Sequence, residues 1–233
     1  MGPLVVDVWS DVVCPWCYIG KRRLEQALAA SPYAGAVSLR FHAFELDPKA
    51  PRNSDQSLRA MLAAKYRASP AQVEAMEARV TGVAAEVGIE MRLDRARPEN
   101  TFDAHRLIAA ATAQGKGPAM KERLMLAYFC EGQRIGDAAV LGALAAEVGV
   151  EGAAALLADP QALAAGVRQD EAQAQRMGVT GVPFFVFDGR LAVSGGQPAA
   201  TFRAALDKAW GDRPLPLPVE DAGAVCGPDG CAI

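Results

Sequence analysis

The sequence predicts an α/β domain that is divided by a long all-helical insertion. Strand and helix patterns alternate as β-α-β at the start of the chain and return as β-β-α near its end. Between them, from about residue 54 to residue 177, alanine-rich segments with helical spacing show no convincing strand. Because the outer segments complement each other, we expect residues 1–53 and 178–212 to form one discontinuous domain. Residues 54–177 would then form the insertion, and residues 213–233 an extended, proline-rich tail.

Periodicity and turn residues mark the elements of the outer segments. PLVVDVW at residues 3–9 is apolar and rich in β-branched residues, which is typical of a buried strand. Helical spacing begins at Pro15, and VSLRFHAFEL at residues 37–46 alternates as a second strand. VPFFVF at residues 182–187, the dipeptide DG and LAVSG predict a hairpin, and QPAATFRAALDKAW predicts a closing helix.

Proline and glycine residues divide the insertion into about six predicted helices. Two of the starts have a polar residue directly before a proline. Ser69 precedes Pro70 and Asp159 precedes Pro160, which is the arrangement of an N-cap followed by proline at the first helical position.

Charge and hydropathy exclude several classes of protein. The net charge is −3, with 22% charged and 51% hydrophobic residues, which argues against binding to nucleic acid or to an anionic membrane. No apolar run approaches the roughly 20 residues that span a bilayer. The first residues, MGPLVVDVWSD, lack the basic region of a signal peptide, so we expect a cytoplasmic protein. Since cytoplasmic thiols are normally reduced, a close cysteine pair there is typical of catalysis or metal binding.

The strongest chemical signal is the sequence Cys14-Pro15-Trp16-Cys17 at the predicted start of the first helix. If Pro15 is the first helical residue, Cys14 is the N-cap, and its sulfur lies beside unpaired N–H groups at the positive end of the helix dipole. Such a position stabilises the thiolate. Cys17 lies one turn further on and should be the less exposed sulfur. The pair is therefore predicted to contain an attacking Cys14 and a resolving Cys17.

This arrangement resembles the thioredoxin fold, and the helical insertion is similar to that of the DsbA-like branch. The resemblance narrows to FrnE-like proteins related to 2-hydroxychromene-2-carboxylate isomerase. It is carried by four segments spread over the chain up to about residue 210: SDVVCPWCYIGKRRLE, FHAFELDP, ENTFDAHRL and GVTGVPFFVFDGRLAVSGGQP.

The resemblance implies roles for individual residues. Pro183 would be a cis-proline facing the active-site disulfide, and the backbone of Val182 would pair with an extended substrate segment. A trans-proline at the first position of a strand is the alternative. The helix containing Asn100 and His105 would lie over the active-site cleft, so either residue is a candidate for substrate contact. His42, on the polar side of its strand, and the buried Cys130 are interpreted as structural.

Trp16 occupies a position at which DsbA-like oxidases often carry histidine. Tryptophan cannot stabilise a thiolate as an imidazolium does, and a less stabilised thiolate makes a weaker oxidant. We therefore expect the Cys14–Cys17 pair to be more reducing than the DsbA pair, whose potential is about −120 mV.

Cys226 and Cys231 form a second close pair, which flanks the turn-forming tetrapeptide GPDG. Three interpretations stay open: an auxiliary redox pair that exchanges with Cys14 and Cys17, a structural clip, or half of a four-thiolate zinc site. A clip across so short a loop adds little stability. Some FrnE-like relatives carry such a pair, and we take the auxiliary redox pair as our prediction.

The sequence thus predicts a cytoplasmic thiol–disulfide oxidoreductase of the reductase or isomerase type. It would need no metal or organic cofactor. Its partners would be disulfide-containing proteins or a dithiol reductant, with glutathione as a candidate thiol co-substrate. A glutathione-dependent isomerase or transferase for a small aromatic substrate is the alternative, although relatives of that kind carry serine in place of Cys14. A zinc-stabilised interaction module is the second alternative. The oligomeric state stays open, a homodimer included.

Overall fold

The computed structural model describes residues 2–213 and, in the tail, the backbone of residues 226–227 and 230–231. A four-stranded mixed sheet in the order β2-β1-β3-β4 forms the centre of the α/β domain. Its strands are β1 (Leu4–Ser10), β2 (Val37–Ala43), β3 (Phe184–Phe187) and β4 (Leu191–Ser194). β1 pairs with β2 in parallel and with β3 in antiparallel orientation, and β3 pairs with β4 as a hairpin. The two sequence-distant segments therefore meet along β1 and β3, as predicted.

Two helices cover one face of this sheet. They are α1 (Pro15–Ala29) and α9 (Ala199–Gly211). A buried core lies between them and the sheet, containing Leu24 of α1, Phe202 of α9 and strand residues such as Val6 and Phe185. A short 3-10 turn, Ala34–Ala36, leads from α1 toward β2. This core fixes the start of α1 relative to β3.

The insertion between β2 and β3 contains seven α-helices, one more than the approximate number predicted. They are α2 (Leu58–Tyr66), α3 (Pro70–Ala85), α4 (Phe102–Ala113), α5 (Gly117–Leu126), α6 (Ala138–Val148), α7 (Ala153–Ala158) and α8 (Ala164–Arg176), and a π-helical segment, Ala127–Glu131, follows α5. A second hydrophobic core joins Cys17, Tyr18 and Ile19 of α1 to the insertion. The helices are thus packed directly behind the cysteine pair.

One predicted helix start is confirmed and one is wrong. Ser69 and Gln72 form a reciprocal capping box in front of α3. By contrast, Pro160 lies outside a helix, and α8 begins four residues later at Ala164. The cause is the buried Arg106, whose guanidinium donates to the carbonyls of Asp159 and, at 2.7 Å, Ala162. The Asp159 carbonyl also accepts from the Ala162 N–H at 3.2 Å, so a single turn forms here and does not continue as a helix.

The second and third strands are shorter than predicted. β2 ends at Ala43 rather than continuing to residue 46, because the Leu46 N–H donates to Asp11 Oδ2 at 2.8 Å. β3 begins at Phe184, after Pro183, which has no N–H to give to a ladder. The C-terminal end of β2 and the N-terminal end of β3 lie on the side of the sheet next to the cysteine pair.

In the tail, Cys226–Gly227 and Gly230–Cys231 form two short antiparallel strands, β5 and β6, with Cys226 opposite Cys231. The side chains of both cysteines lie outside the described residues. The exact domain boundaries stay a prediction.

Candidate active site

Cys14 is the residue at which the chain enters α1. Its backbone is extended, with φ −91° and ψ 113°, and Pro15 occupies the first turn of the helix. The Cys14 carbonyl accepts hydrogen bonds from the N–H groups of Cys17 at 3.0 Å and of Tyr18 at 3.3 Å. Cys14 is therefore the N-cap of α1, as predicted, and occupies the positive end of the helix dipole.

The Cys14 thiol faces the segment that precedes β3. Its Sγ donates to the backbone carbonyl of Val182 at 3.5 Å and makes no capping hydrogen bond to the first turn. The Val182–Pro183 peptide bond is cis, which confirms the isomer that the resemblance implied. A neutral thiol donates, whereas a thiolate can only accept. Loss of the Cys14 proton therefore removes the bond to Val182 and leaves the helical N–H groups as the natural partners of the sulfur.

Cys17 is the more deeply buried of the two thiols, with 2% of its surface exposed against 4% for Cys14. Both are free thiols in this structure. Burial, followed by the adjacent Cys14, raises the pKa of Cys17 well above the ordinary value of a thiol, while the cation of Lys121 opposes this shift. The third described cysteine, Cys130, is half-buried, and burial raises its pKa as well. Of the cysteine pair, only Cys14 lines the adjacent cleft.

The cleft has a volume of about 960 Å³ and lies between the cysteine pair and the first helices of the insertion. Cys14, Pro15, Trp16 and Val182 line one side of it. The opposite side is mostly apolar and aromatic, and its residues include Leu58, Met61, Tyr66, Met76, Tyr128 and Phe129. The cleft is thus large enough for a peptide segment or an aromatic molecule, and it opens onto Cys14.

A buried polar cluster lies beside the cysteines, and one of its members, Asp11, also lines the cleft. Asp11 Oδ1 is 3.2 Å from His105 Nε2, and both side chains are almost fully buried. Burial alone would raise the pKa of Asp11, but the hydrogen bond and charge of His105, together with the N–H of Leu46, hold it below its usual value. Lys121 of α5 completes the cluster and donates to the Ser10 carbonyl at 3.2 Å.

Asn100 and His105 occupy structural positions. The Asn100 amide donates to Glu45 at 3.0 Å and to the carbonyl of Pro48 at 3.3 Å, and its side-chain oxygen accepts from the N–H of Phe102. Asn100 therefore joins the start of α4 to the loop after β2. His105 is buried against Asp11, and neither residue lines the cleft. Substrate contact by either residue stays a prediction.

Sequence reasoning missed Asp11 and Lys121. The sequence does indicate Asp11, because an acidic residue directly after a buried strand and three positions before Cys14 must lie close to the thiols. Nothing in the sequence indicates that Lys121, in the segment MKERLML, is buried, since a lysine on a helix is normally exposed. Only tertiary packing places it beneath the pair.

Neither metal ligation nor membrane insertion has support among the described residues. Within residues 2–213, no three histidine, cysteine or acidic side chains gather as a metal site. The four-thiolate alternative requires Cys226 and Cys231, whose side chains are not described, so it stays untested. No helix in the described part of the chain is long and apolar enough to cross a membrane.

The fold and the cysteine pair together define a DsbA-like protein. The family model of the DSBA-like thioredoxin domain matches residues 5–207, so the chain belongs to this family. Members of this family act on thiols or disulfides, which supports a disulfide oxidoreductase.

Individual solved structures agree with this assignment. A probable DsbA oxidoreductase from Streptomyces coelicolor is 42% identical, with a TM-score of 0.86 and 99% of each chain covered. The cytosolic disulfide reductase DsbM from Pseudomonas aeruginosa, solved with GSH, shares the fold at 24% identity and a TM-score of 0.60, covering 89% of this chain and 99% of its own. A 2-hydroxychromene-2-carboxylate isomerase shares it at 15% identity and a TM-score of 0.64, covering 88% and 95%. The resemblance seen in the sequence is thereby confirmed at the level of family and fold.

Proposed function

We propose that the protein reduces or isomerises disulfide bonds of other proteins through the Cys14–Cys17 dithiol. One observation carries the proposal: Cys14 opens onto the cleft from the N-terminus of α1, while Cys17 is buried behind it. A sulfur at a helix N-terminus is the better thiolate, and a sulfur without access to the cleft cannot meet the substrate first. The two cysteines therefore have different roles.

Cys14, as a thiolate, attacks one sulfur of the substrate disulfide. A Cys14–substrate disulfide forms as the substrate S–S bond breaks, and the released sulfur takes a proton from solvent. Cys17 then loses its proton and attacks the Cys14 sulfur, forming the Cys14–Cys17 disulfide and releasing the second substrate thiolate. Two electrons pass from the dithiol to the substrate. A dithiol partner or two molecules of glutathione restore the reduced pair.

The backbone at Val182 is the surface against which an extended substrate segment would lie. Its carbonyl is already within hydrogen-bonding distance of Cys14, so a peptide paired there would present its disulfide to the attacking sulfur. We place the reaction in the cytoplasm, where a reduced thiol pool supplies electrons. The structurally similar DsbM is a cytosolic reductase. No metal or organic cofactor takes part in this scheme.

A glutathione-dependent isomerase or transferase is the second candidate, and the cleft is the observation that favours it. Trp16, Tyr66, Tyr128 and Phe129 all line the cleft, and such side chains suit a small aromatic substrate. In that scheme the Cys14 thiolate engages glutathione and Cys17 is dispensable.

Turnover of insulin disulfides by the purified protein distinguishes the two candidates. With dithiothreitol as the electron donor, we expect wild-type protein to accelerate insulin reduction and Cys14→Ser to lose all of this acceleration. Cys130→Ser, which changes a thiol outside the pair, is the matched control and should retain the wild-type rate. With glutathione as donor, Cys17→Ser should be severely impaired in protein disulfide reduction. Absence of any acceleration by the wild-type protein would refute the proposal, and full activity of Cys17→Ser would favour the glutathione enzyme.

A further inference from the structure

Glu77 is a charged residue on an otherwise apolar stripe of α3. The stripe repeats at helical spacing and contains the buried residues Val73, Val80 and Ala84. Glu77 lies between them with 7% of its surface exposed. A carboxylate in such a position loses its water, which is costly unless hydrogen bonds replace that water. An apolar side chain would fill the place without this cost, so the packing of α3 does not account for Glu77.

The carboxylate of Glu77 is only half satisfied. Its Oε2 accepts from Arg59 Nε of α2 at 2.6 Å, whereas its Oε1 is buried and has no hydrogen-bond partner among the described residues. The side chain of Arg59 is itself 56% exposed, and an ion pair with so exposed a partner contributes little to stability. The pair with Arg59 therefore leaves Oε1 as a buried acceptor without a donor.

Glu77 differs in this respect from the other two buried carboxylates that line the cleft, those of Asp11 and Glu99. In both of these, each of the two oxygens has a hydrogen-bond partner within the chain. Among the described acidic side chains of the cleft wall, Glu77 alone keeps a buried oxygen unpaired. The donor that it lacks can come from a molecule bound in the cleft.

The wall of the cleft beside Glu77 can open at low cost. None of the residues of α2 is buried, and Leu58, Met61 and Leu62 of this helix line the cleft. The main packing partner of α2 is α3. A helix with so few buried contacts shifts readily. A side chain that enters from the cleft can therefore reach Glu77 Oε1 between the two helices.

The charge and polarity of the cleft wall indicate which donor fits. Four acidic residues line the cleft, and Lys65 is the only basic one among its described lining residues. A negative wall attracts cations and disfavours anions. Val80, one turn from Glu77, and Met61 and Leu62 of α2 make the wall apolar. A long aliphatic stem that ends in a cation suits both the apolar wall and the carboxylate oxygen, and lysine and arginine have this form.

We propose that Glu77 binds a lysine or arginine side chain of the substrate protein, close to the disulfide that Cys14 attacks. This inference rests on the proposed function and narrows its substrates to disulfides with a basic residue nearby. The cation of the substrate donates to Glu77 Oε1, Arg59 stays on Oε2, and the aliphatic stem lies along the apolar wall. Since Cys14 and Glu77 line the same cleft, one extended segment can occupy both places.

Peptides that carry one cysteine as a mixed disulfide with thionitrobenzoate test this specificity. Attack by Cys14 forms a Cys14–peptide disulfide and releases coloured thionitrobenzoate. The peptides are alanine sequences with lysine, acetyl-lysine or norleucine at one of several positions before or after the cysteine. Acetyl-lysine and norleucine keep the aliphatic stem and lack the charge. The rate of each peptide with 2-mercaptoethanol corrects for its intrinsic reactivity.

For at least one position, the wild-type protein should react at least about tenfold faster with the lysine peptide than with its two uncharged counterparts, as expected for a hydrogen bond between charged groups. Added salt should reduce this preference. Equal rates for the three peptides at every position would show that the inference is wrong while the proposed function stands. If the protein reacts with none of the peptides, the proposed function fails and the inference fails with it.

Glu77→Gln keeps the shape of the side chain and removes its charge, so the preference for lysine should be lost. The ratio of lysine to norleucine rates is the readout, because it divides out any general loss of activity. Glu74→Gln, the same change at an exposed position of α3 outside the cleft, is the matched control and should keep the preference. If Glu77→Gln does not fold, Glu77→Asp, whose carboxylate has a shorter reach, should show a smaller ratio than the wild type. An undiminished ratio in the Glu77 variant would overturn the inference.

Discussion

The thiol of Cys14 lies 3.5 Å from the backbone carbonyl of Val182, although 168 residues separate them in the chain. This contact joins the start of α1 to the segment before β3, and so closes the two halves of the interrupted domain over the attacking sulfur. It also shows which sulfur a substrate meets. A peptide that pairs with the backbone at Val182 reaches Cys14 and leaves Cys17 behind it.

The redox potential of the Cys14–Cys17 pair should be more negative than about −120 mV. Trp16 cannot provide the positive charge by which an imidazolium stabilises the reduced form. Trp16→His should therefore raise the potential, by about 30 mV for each tenfold change in the equilibrium constant. Equilibration with glutathione buffers measures both values. A wild-type potential at the DsbA value, or a Trp16→His variant with an unchanged potential, would contradict the role given to Trp16.

Gly20→Ala should destabilise the protein by about 1–3 kcal/mol, the usual cost of overpacking. A Cβ at this position of α1 would lie 3.2 Å from both Phe185 and Pro183 and 3.3 Å from Gly196. The methyl group would therefore push α1 away from the segment that faces Cys14. Gly82→Ala is the control, since a Cβ there meets no atom within 4 Å and the helix should gain up to about 1 kcal/mol. Urea unfolding of both variants gives the comparison, and equal stability would show that the close contact at Gly20 is unimportant.

Arg106→Met should cost about 3 kcal/mol or more. The guanidinium is fully buried, bonds to Asp103 at 2.7 Å, and satisfies the carbonyls of Leu156, Asp159 and Ala162. Without it, the carbonyls of Leu156 and Ala162 lose this partner in the interior, whereas Asp103 keeps only the more exposed Arg52 at 3.1 Å. The more exposed pair of Arg203 and Asp207 offers the comparison: Arg203→Met should cost less than about 1 kcal/mol. Similar unfolding midpoints for the two variants would refute the structural role of Arg106.

The stability of the protein should depend on Lys121 between pH 8 and 10.5. The pKa of Lys121 falls from 10.5 to about 8 on folding, so in this range the unfolded chain binds more protons and stability rises with pH. At about 1.36 kcal/mol per pH unit, the wild type should gain about 3 kcal/mol relative to Lys121→Met across the range. Urea unfolding of both proteins at several pH values measures the difference. Parallel curves would show that Lys121 keeps its ordinary pKa.

The sequence was sufficient for the fold and for the cysteine pair because both are specified locally. Each signal lies within a short stretch of sequence. These signals are the β-α-β and β-β-α patterns, Pro15 directly after Cys14, and the proline before β3. The helix start predicted at Asp159 and Pro160 was wrong because a distant residue acts there: the Arg106 guanidinium of α4 binds the carbonyls of Asp159 and Ala162, and the chain forms only a turn before α8.

The buried side of the site could not be predicted in the same way. His42, His105 and Lys121 belong to β2, α4 and α5, and no spacing in the chain relates them. Their grouping around one cavity follows from how the insertion packs on the sheet. A polar residue on a helix or strand is exposed in most proteins, so its sequence context gives no reason to place it in the interior.

The covalent intermediate is the most direct test of the division of roles between Cys14 and Cys17. Cys17→Ser should accumulate a mixed disulfide with a protein substrate such as insulin, visible by intact mass spectrometry as one substrate chain joined to Cys14. Cys14→Ser should accumulate none, because Cys17 has no access to the cleft. Equal trapping by the two variants, or a complex attached through Cys17, would contradict the account.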